Sequence, residues 1–450
     1  MQVQAVTPEV PPGPAGPRWK NVLEARRGVL QFLVGKVHQY GGLVCLAEGR
    51  TYIAAHPDYV QHVLQENHLN YVKGPRFRDM ISPLIGDGLI VVDGDDWRRQ
   101  RRRAQPFFLR KGHPAYVETV TPSVEALGER FTALARTNQL VNLNEEMDRL
   151  AVAANLRMMC GSRDEALVDT LVKAFVETGH SLSPAAGFSP VKLPAFIPTP
   201  KRVRFRRAIA KVDEIIYGLI AERRGATPPR DDLLSGLVFD RDGEPGGDKR
   251  LRDEIMTMLH AGFETVSDQI VWNVLALGKH PEVRERARQE SDGLLGGRLP
   301  RFEDLRRLTY LHLVLQEIMR LYPAAWGFFR TALADDHIGG YRIPAGSLVI
   351  VSPYITHRLP EIWESPEEFR PERFRAEEAE RRHRFAFFPF GSGPRHCIGG
   401  EVAELLIAMT VSMLLQRFEL ELEGSDQVRP VPRISLKPEP ALHARIRLRS

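Results

Sequence analysis

Hydrophobic residues recur at steps of three and four along most of the chain, which is the spacing of amphipathic helices. The longest such segment covers residues 251–280, and Pro281 ends it because proline cannot continue a helix. At about 1.5 Å per residue this helix is ~45 Å long, enough to cross a whole domain. Further helices are predicted over residues 310–322 and 398–418, and helical patterns dominate residues 117–221.

Short hydrophobic runs of strand character interrupt the helices at residues 43–46, 51–54, 340–343 and 347–351. A long irregular stretch at residues 353–394 follows the last of these runs. The pattern therefore predicts a mainly α protein with a minor β part.

Length and composition narrow the class of protein. The 450 residues allow one large domain or two to three ordinary ones, and a hydrophobic content of 43% excludes global disorder. Near-average numbers of Gly and Pro exclude a collagen-like chain. The chain has no apolar run of about 18 residues, so we expect no membrane span. The Pro-rich residues 1–18 predict a flexible arm, and no signal peptide is evident.

The net charge of the chain indicates which binding partners are possible, and its cysteine content indicates the cellular compartment. The net charge of +5, with a pI of about 9.1, suits nucleic acid, a membrane surface or an acidic protein partner, or merely reflects arginine-rich codon usage. The three cysteines, Cys45, Cys160 and Cys397, are too few and odd in number for a disulfide framework. We therefore expect a reducing compartment, the cytoplasm.

Residues 390–400 (Phe-Gly-Ser-Gly-Pro-Arg-His-Cys-Ile-Gly-Gly) form the most informative segment. The Gly and Pro residues before Cys397 predict a tight loop, and the helix that follows would favour its thiolate. Such a thiolate is a nucleophile or a metal ligand. No second cysteine or His pair nearby supports zinc. His396 is adjacent in sequence, and neighbouring side chains diverge, so a Cys–His dyad is not expected.

This segment resembles the haem-thiolate loop of the cytochrome P450 family, whose pattern is Phe-x-x-Gly-x-Arg-x-Cys-x-Gly. Phe390, Gly393, Arg395, Cys397 and Gly399 match every fixed position. The resemblance implies a single haem domain over residues 19–450, in which haem b lies between the long central helix and the cysteine loop. Cys397 would bind the iron, and the matched loop residues would surround the cofactor. The alternative is an inert buried cysteine in a Gly-rich turn.

Glu317 and Arg320 are three residues apart on one predicted helix face. Taken alone, they form an ordinary surface ion pair. The downstream sequence Pro-Glu-Arg-Phe includes Arg373, and the family resemblance then implies a buried network of Glu317, Arg320 and Arg373. An unpaired charge there would be costly. This network would hold the cysteine loop and would be structural, not catalytic.

Residues 261–265 (Ala-Gly-Phe-Glu-Thr) lie in the middle of the long helix, where Gly costs about 1 kcal/mol relative to Ala. One interpretation is that Thr265 bonds back to the carbonyl four residues earlier while Glu264 faces solvent. The resemblance instead implies the family's acid–alcohol pair. Gly262 would let the helix open beside the haem, which Ala261 would contact. Thr265 and Glu264 would relay protons for O2 activation.

Residues 97–103 (Trp-Arg-Arg-Gln-Arg-Arg-Arg) look like a nuclear-localisation or nucleic-acid patch. On a helix, Trp97 and Arg101 share one face. The resemblance assigns these two to a haem propionate, together with Arg330 and Arg395. We expect the other arginines, Arg98, Arg99, Arg102 and Arg103, to be solvated, some of them on a basic face for an acidic electron donor.

The resemblance implies a monooxygenase that hydroxylates or epoxidises a hydrophobic small molecule. No flavin or nicotinamide domain follows the cysteine loop, so a separate ferredoxin and ferredoxin reductase with NAD(P)H would supply electrons to a monomer. Residues 342–346 and 352–358 look like bacterial soluble members. The Ala325-Trp326 and 101–107 regions are similar to bacterial terpene oxidases and carotenoid hydroxylases, which suggests a terpenoid.

Candidate pocket positions follow from the same resemblance. They are mostly apolar or small and include Met258, Gly262, Ala325, Trp326, Gly327, Phe328 and Ser435. Residues 75–89 would form a lid and residues 181–198 an entrance loop. Three alternatives stay open: a fatty-acid hydroxylase, a non-catalytic haem sensor and a basic interaction protein.

Overall fold

A computed structural model describes residues 10–15, 18–46, 50–181, 199–225, 230, 232–239 and 247–449. The predicted entrance loop and most of the predicted N-terminal arm lie outside these residues. In the part that is described, no helix is both long enough and apolar enough to cross a membrane.

Helices dominate the described chain, as predicted. The α-helices are α1 Arg18–Arg27, α2 Val29–Tyr40, α3 Pro57–Gln61, α4 Gly74–Ile85, α5 Gly94–Ala104, α6 His113–Thr137, α7 Leu143–Cys160, α8 Glu165–Ser181, α9 Pro200–Gly225, α10 Leu233–Val238, α11 Asp248–Lys279, α12 Pro281–Leu295, α13 Phe302–Leu305, α14 Thr309–Leu321, α15 Pro353–Thr356, α16 Ala376–Arg381 and α17 Gly400–Arg417.

The strands are short and contribute a minor part. They are β1 Leu43–Cys45, β2 Thr51–Ala54, β3 Tyr71–Val72, β4 Leu140–Asn142, β5 Phe328–Ala332, β6 Asp336–Ile338, β7 Tyr341–Ile343, β8 Leu348–Val351, β9 Phe418–Glu423, β10 Arg429–Pro432, β11 Leu436–Glu439 and β12 His443–Leu448.

The predicted helices and strands are confirmed with small shifts at their ends. The long helix is α11, and Pro281 not only ends it but begins α12 at the first position, where its missing N–H costs nothing. The irregular stretch after β8 does contain two short helices, α15 and α16.

The chain divides into two compact units. Unit 1 comprises the described residues of Met1–Met80 and Met319–Cys397. It contains a five-stranded sheet in the order β1-β2-β8-β5-β3, in which only β2 and β8 run parallel. Buried Tyr52, Val349 and Val351 from this sheet pack with Phe385 and Phe388, which precede the cysteine loop. The core of unit 1 therefore supports that loop.

Unit 2 comprises the described residues of Ile81–Ser183, Leu193–Ile318 and Ile398–Ser450. Its centre is α11, which is packed by α7, α9 and α17. A three-stranded sheet, β4-β12-β9, and a hairpin, β10-β11, complete it. The hairpin contacts α11, so its side chains lie beside the central helix.

Candidate active site

The cysteine loop of unit 1 is fixed by main-chain hydrogen bonds. The amide of Gly391 donates to Phe388 O at 2.9 Å, and a 3-10 turn follows at Gly393–Arg395. The amide of Cys397 then donates back to Phe390 O at 2.8 Å. Cys397 is exposed, whereas Cys45 and Cys160 are buried. The loop thus presents one cysteine on a rigid backbone.

Gly393 shows why this loop needs glycine. Its φ is +68°, in the left-handed region, and a Cβ there would lie 1.9 Å from Leu64 O. The carbonyl belongs to a π-helical turn, His62–Glu66, whose backbone cannot move aside cheaply. Any larger residue would push the loop away from this turn.

Two buried arginines of unit 1 converge on the same main-chain carbonyl. Arg320 is fully buried and donates to the carbonyls of His357, Pro366 and Glu368 at 2.9, 2.6 and 3.1 Å. Arg373 also donates to Glu368 O, at 3.4 Å. Glu317 is likewise fully buried, which rules out a surface ion pair. All three residues are therefore buried, and the network that would join Glu317 to the two arginines stays a prediction.

His357 connects Arg320 to the cysteine loop, and no spacing or composition in the sequence indicates this role. One ring nitrogen, Nδ1, lies 3.3 Å from Arg320 O, and the other, Nε2, accepts the amide N–H of Phe388 at 3.0 Å. This pairing assigns the proton to Nδ1. Burial and the neighbouring Arg320 guanidinium hold the pKa of His357 well below its usual range. A neutral imidazole therefore bridges the network and the loop.

Helix α11 of unit 2 is buried along nearly its whole length, with one interruption. From Leu251 to Leu277 every side chain is buried except Ala261, Gly262 and Thr265. These three lie at i, i+1 and i+4, so they share one helix face. This is the one place in 27 consecutive residues of α11 where side chains are accessible, and it coincides with the segment predicted to lie beside the haem.

Around Ala261, Gly262 and Thr265, side-chain donors make hydrogen bonds to main-chain carbonyls of α11. The Thr265 hydroxyl donates to Ala261 O at 2.7 Å, as one of the two interpretations expected. Asn155 of α7 donates its amide to the carbonyls of Met258 and Leu259 at 3.1 and 2.9 Å. A Cβ on Gly262 would lie 2.7 Å from Asn155 Nδ2, so this glycine makes room for the amide. The sequence showed no sign of Asn155, which lies more than 100 positions away.

Glu264 does not face solvent, so the interpretation that placed it there is wrong. Its side chain is 5% exposed, and Oε1 lies 3.6 Å from Lys437 Nζ on β11. Its other oxygen, Oε2, is buried and has no hydrogen-bond partner in the described part of the chain. An acid with a buried open oxygen, next to the hydroxyl of Thr265 in the sequence, suits proton transfer.

Helix α5 carries the arginine run and borders a surface cavity of about 430 Å³. The cavity is lined by Trp97, Arg98, Arg101, Arg102, Gln105, Pro106 and Leu109. Arg98 and Arg99 are exposed and pair with Asp95 and Asp96. Arg103 contradicts the expectation of a solvated side chain. It donates to Leu237 O at 2.9 Å and pairs with the buried Glu254, so it ties α5 to the interior of unit 2.

The remaining predicted positions are found in varied surroundings. In unit 1, Arg330 is buried on β5 and donates to Phe329 O at 3.0 Å, and Trp326 packs edge-on against Phe329. The ring of Phe328 packs on Phe388 and lies against Gly391, so it also supports the cysteine loop. In unit 2, the buried Ser435 hydroxyl donates to Asp268 at 2.6 Å. Substrate contacts at these positions stay predictions.

Comparisons with known proteins agree with this geometry. A family model described as cytochrome P450 matches residues 10–445. The chain belongs to the cytochrome P450 family. Cyclooctatin synthase of Streptomyces melanosporofaciens is 32% identical to this P450 over 426 residues, covering 92% of the chain and 90% of the relative. Pentalenene oxygenase of Streptomyces avermitilis is 30% identical over 400 residues, covering 87% of each chain.

Solved structures confirm the fold. The cytochrome P450DA heme domain superposes on this P450 with a TM-score of 0.86, 26% identity and coverage of 98% of both chains. The predicted family and the predicted fold are therefore both confirmed, and the protein is a P450 monooxygenase.

The residues present fit the haem-thiolate group that the family implies. A thiolate ligand needs an accessible cysteine on a rigid loop, which Cys397 provides in unit 1. In unit 2, the open face at Ala261, Gly262 and Thr265 offers small side chains and one hydroxyl. Among the described residues no cluster of three or more His, Cys, Asp or Glu could hold a metal ion.

Proposed function

We propose that this P450 binds haem b through Cys397 and oxidises a terpenoid or a similar hydrophobic natural product to an alcohol or epoxide. Two named relatives, cyclooctatin synthase and pentalenene oxygenase, support a terpenoid substrate. The observation that carries the proposal is the open face of α11 at Ala261, Gly262 and Thr265, with the buried acid Glu264 beside it in sequence.

Each residue of this segment has a separate task. When bound, the haem supplies O2 activation, which the cysteine thiolate promotes. Ala261 and Gly262 leave space beside the reacting centre. The Thr265 hydroxyl holds a proton at that space, and the carboxyl group of Glu264 replaces it from solvent. Without this supply, O2 would be released as peroxide and the substrate would remain unchanged.

The proposal extends to the electron supply and the location of the protein. We infer a separate ferredoxin and ferredoxin reductase that use NAD(P)H, acting in the cytoplasm on a monomer. Helix α5 has five arginines against two aspartates, so it keeps a net positive charge for an acidic ferredoxin after Arg98 and Arg99 have paired with Asp95 and Asp96.

A spectral screen with product analysis tests the substrate class. Purified holoprotein is titrated with sesquiterpenes, diterpenes, fatty acids and polyketides, and a shift of the haem Soret band reports displacement of water. Compounds that shift the band are then incubated with NADPH, a surrogate ferredoxin and its reductase. We expect oxygenated terpenoid products. Turnover of fatty acids alone would replace this proposal with the fatty-acid alternative.

A further inference from the structure

Unit 2 contains a buried group of three carboxyls, which we term the carboxyl cluster. It consists of Asp148 on α7 and of Glu264 and Asp268 on α11. The three residues are 4%, 3% and 1% exposed. Asp148 accepts a hydrogen bond from Ser267, and Asp268 accepts one from Ser435. Three carboxylates so deeply buried cannot all stay charged without a compensating cation.

The cation that faces the carboxyl cluster comes from the β10–β11 hairpin. Lys437 on β11 extends its ammonium group to within 3.6 Å of Glu264 Oε1, and its side chain is 16% exposed. The hairpin also contains Arg433 and Glu439, which bind each other at 2.9 Å, and Arg429, which is exposed and donates to Val428 O. Burial lowers the pKa of His260, one turn before Glu264. Among the described residues, Lys437 is the cation whose charge acts on all three carboxyls.

The hairpin is held along α11 by specific bonds. The indole N–H of Trp272 donates to Leu436 O at 2.8 Å, and the Ser435 hydroxyl donates to Asp268 Oδ2 at 2.6 Å. These contacts are made by the two residues immediately before Lys437, and they fix this end of its strand against the helix. The position of the ammonium group is therefore set by the fold and not by the reach of a flexible side chain.

Burial also affects the pKa values of the carboxyl cluster unequally. It raises the pKa of Asp268 well above its usual range and that of Asp148 to about 6. Burial disfavours the charged form of Lys437, but the neighbouring carboxyls outweigh it and raise its pKa, so the ammonium group stays charged. Burial favours the protonated form of Asp268. Glu264 has one oxygen facing Lys437 and the other, Oε2, open.

We propose that Lys437 is a positioning residue for Glu264: its ammonium group holds the Glu264 side chain turned toward the β10–β11 hairpin, and proton delivery requires the carboxyl to leave this contact. The inference rests on the proposed relay through Glu264 and Thr265. In each delivery, the Glu264 carboxylate takes one proton from solvent and passes it on at Thr265. Lys437 is unchanged by this step and regains its contact afterwards.

The first test measures protonation and requires no substrate. Difference infrared spectra of the holoprotein record the C=O stretch of protonated carboxyls between pH 6 and 8. We expect several such bands in the wild type, because burial raises the pKa of Asp148 to about 6 and that of Glu404 to about 7, and Asp268→Asn should remove one component. Lys437→Met should add a further band, which the double variant with Glu264→Gln lacks, and Lys437→Arg should not add it. The absence of a new band in Lys437→Met would overturn the proposal.

The second test measures coupling, the share of NADPH electrons found in product, using the compound with the largest Soret shift in the screen. We expect Lys437→Met to lower coupling about tenfold and to raise the solvent isotope effect on kcat, with recovery in Lys437→Arg. Arg447→Met, which removes an exposed cation paired with Glu421, is the charge-matched control and should change neither quantity. If the Lys437→Met protein does not show the Soret band of the reduced, CO-bound form, the Lys437→Gln variant is used in its place.

The positioning role of Lys437 and the relay through Glu264 and Thr265 can be tested separately. If Glu264→Gln lowers coupling and Lys437→Met does not, the positioning role of Lys437 is wrong and the relay stands. If neither Glu264→Gln nor Thr265→Ala lowers coupling, the proposed relay itself is wrong.

Discussion

The buried charges around the cysteine loop differ in sign and in partners from those along α11. In unit 1 they include the arginines Arg320, Arg358 and Arg373, which donate to main-chain carbonyls. In unit 2 the buried groups are carboxyls, and Glu264 keeps a buried oxygen that has no partner among the described residues. An arginine bound to carbonyls does not release its proton, whereas a buried carboxyl such as Asp148, whose pKa is raised to about 6, can. We therefore expect the arginines of unit 1 to hold the cysteine loop and the carboxyls of unit 2 to take part in the proposed proton relay.

Removing a buried cation from unit 1 should have the largest effect. Arg320→Leu leaves the carbonyls of His357, Pro366 and Glu368 without this donor, and we expect a loss of about 3–5 kcal/mol in the free energy of unfolding and of most bound haem. Urea unfolding and the haem-to-protein ratio measure both. Arg370→Leu, which removes an exposed arginine paired with Glu364, is the control. Equal stability of the two variants would contradict the holding role.

Removing a buried charge from unit 2 should have the opposite effect on stability, because it should raise the free energy of unfolding. The pKa of Asp148 is raised to about 6, so ionising it in the folded state costs free energy that is absent near pH 4 and complete above pH 6. Asp148→Asn should therefore stabilise the protein by about 1–3 kcal/mol at pH 8 and by little at pH 4. Thermal unfolding at both pH values checks this. If Asp148→Asn is less stable than the wild type at pH 8, the proposed difference between the buried charges of the two units is wrong.

His357 makes the stability of unit 1 depend on pH. Its pKa is depressed in the folded state, so the unfolded chain binds the proton first and stability falls as the pH drops below about 6.5, by about 1.4 kcal/mol per unit. His357→Gln keeps an acceptor for the Phe388 amide and should remove this slope between pH 6.5 and 5.5. Urea unfolding at these two values measures the slope. His396→Gln, an exposed histidine of the same segment, should leave it unchanged.

The smallest effect concerns the contact between α7 and α11. Gly262→Ala brings a Cβ to 2.7 Å from Asn155 Nδ2, and we expect a net loss of about 1 kcal/mol after the gain in helix propensity. Asn155→Ala removes the obstacle, so the double variant should lose less than the sum of the single ones. Urea unfolding of all four proteins gives the coupling energy. Strict additivity would mean that Gly262 is needed for another reason.

The contrast also separates what the sequence could predict from what it could not. The cysteine loop, Glu317 with Arg320 and the segment 261–265 are local patterns, and the helices around them follow from hydrophobic spacing. Asn155 and Lys437 act on α11 from more than 100 residues away, and no local spacing indicates such a pair.

Arg103 was wrongly expected in solvent because helical sidedness alone does not show that Glu254 lies beneath it. His357 had a neighbouring motif but no physical sign of its role in the sequence. Its two hydrogen bonds, to Arg320 O and from the Phe388 amide, join segments more than 30 residues apart.

The side-chain donors beside Gly262 have a consequence for the flexibility of the central helix. The carbonyls of Met258, Leu259 and Ala261 each accept a hydrogen bond from a side chain, supplied by Asn155 or Thr265. If the helical bonds of this turn separate, these oxygens keep a partner, so the turn can open at a fraction of the usual desolvation cost. Amide hydrogens there should exchange faster than those one or two turns later, although both stretches lie in the same core helix.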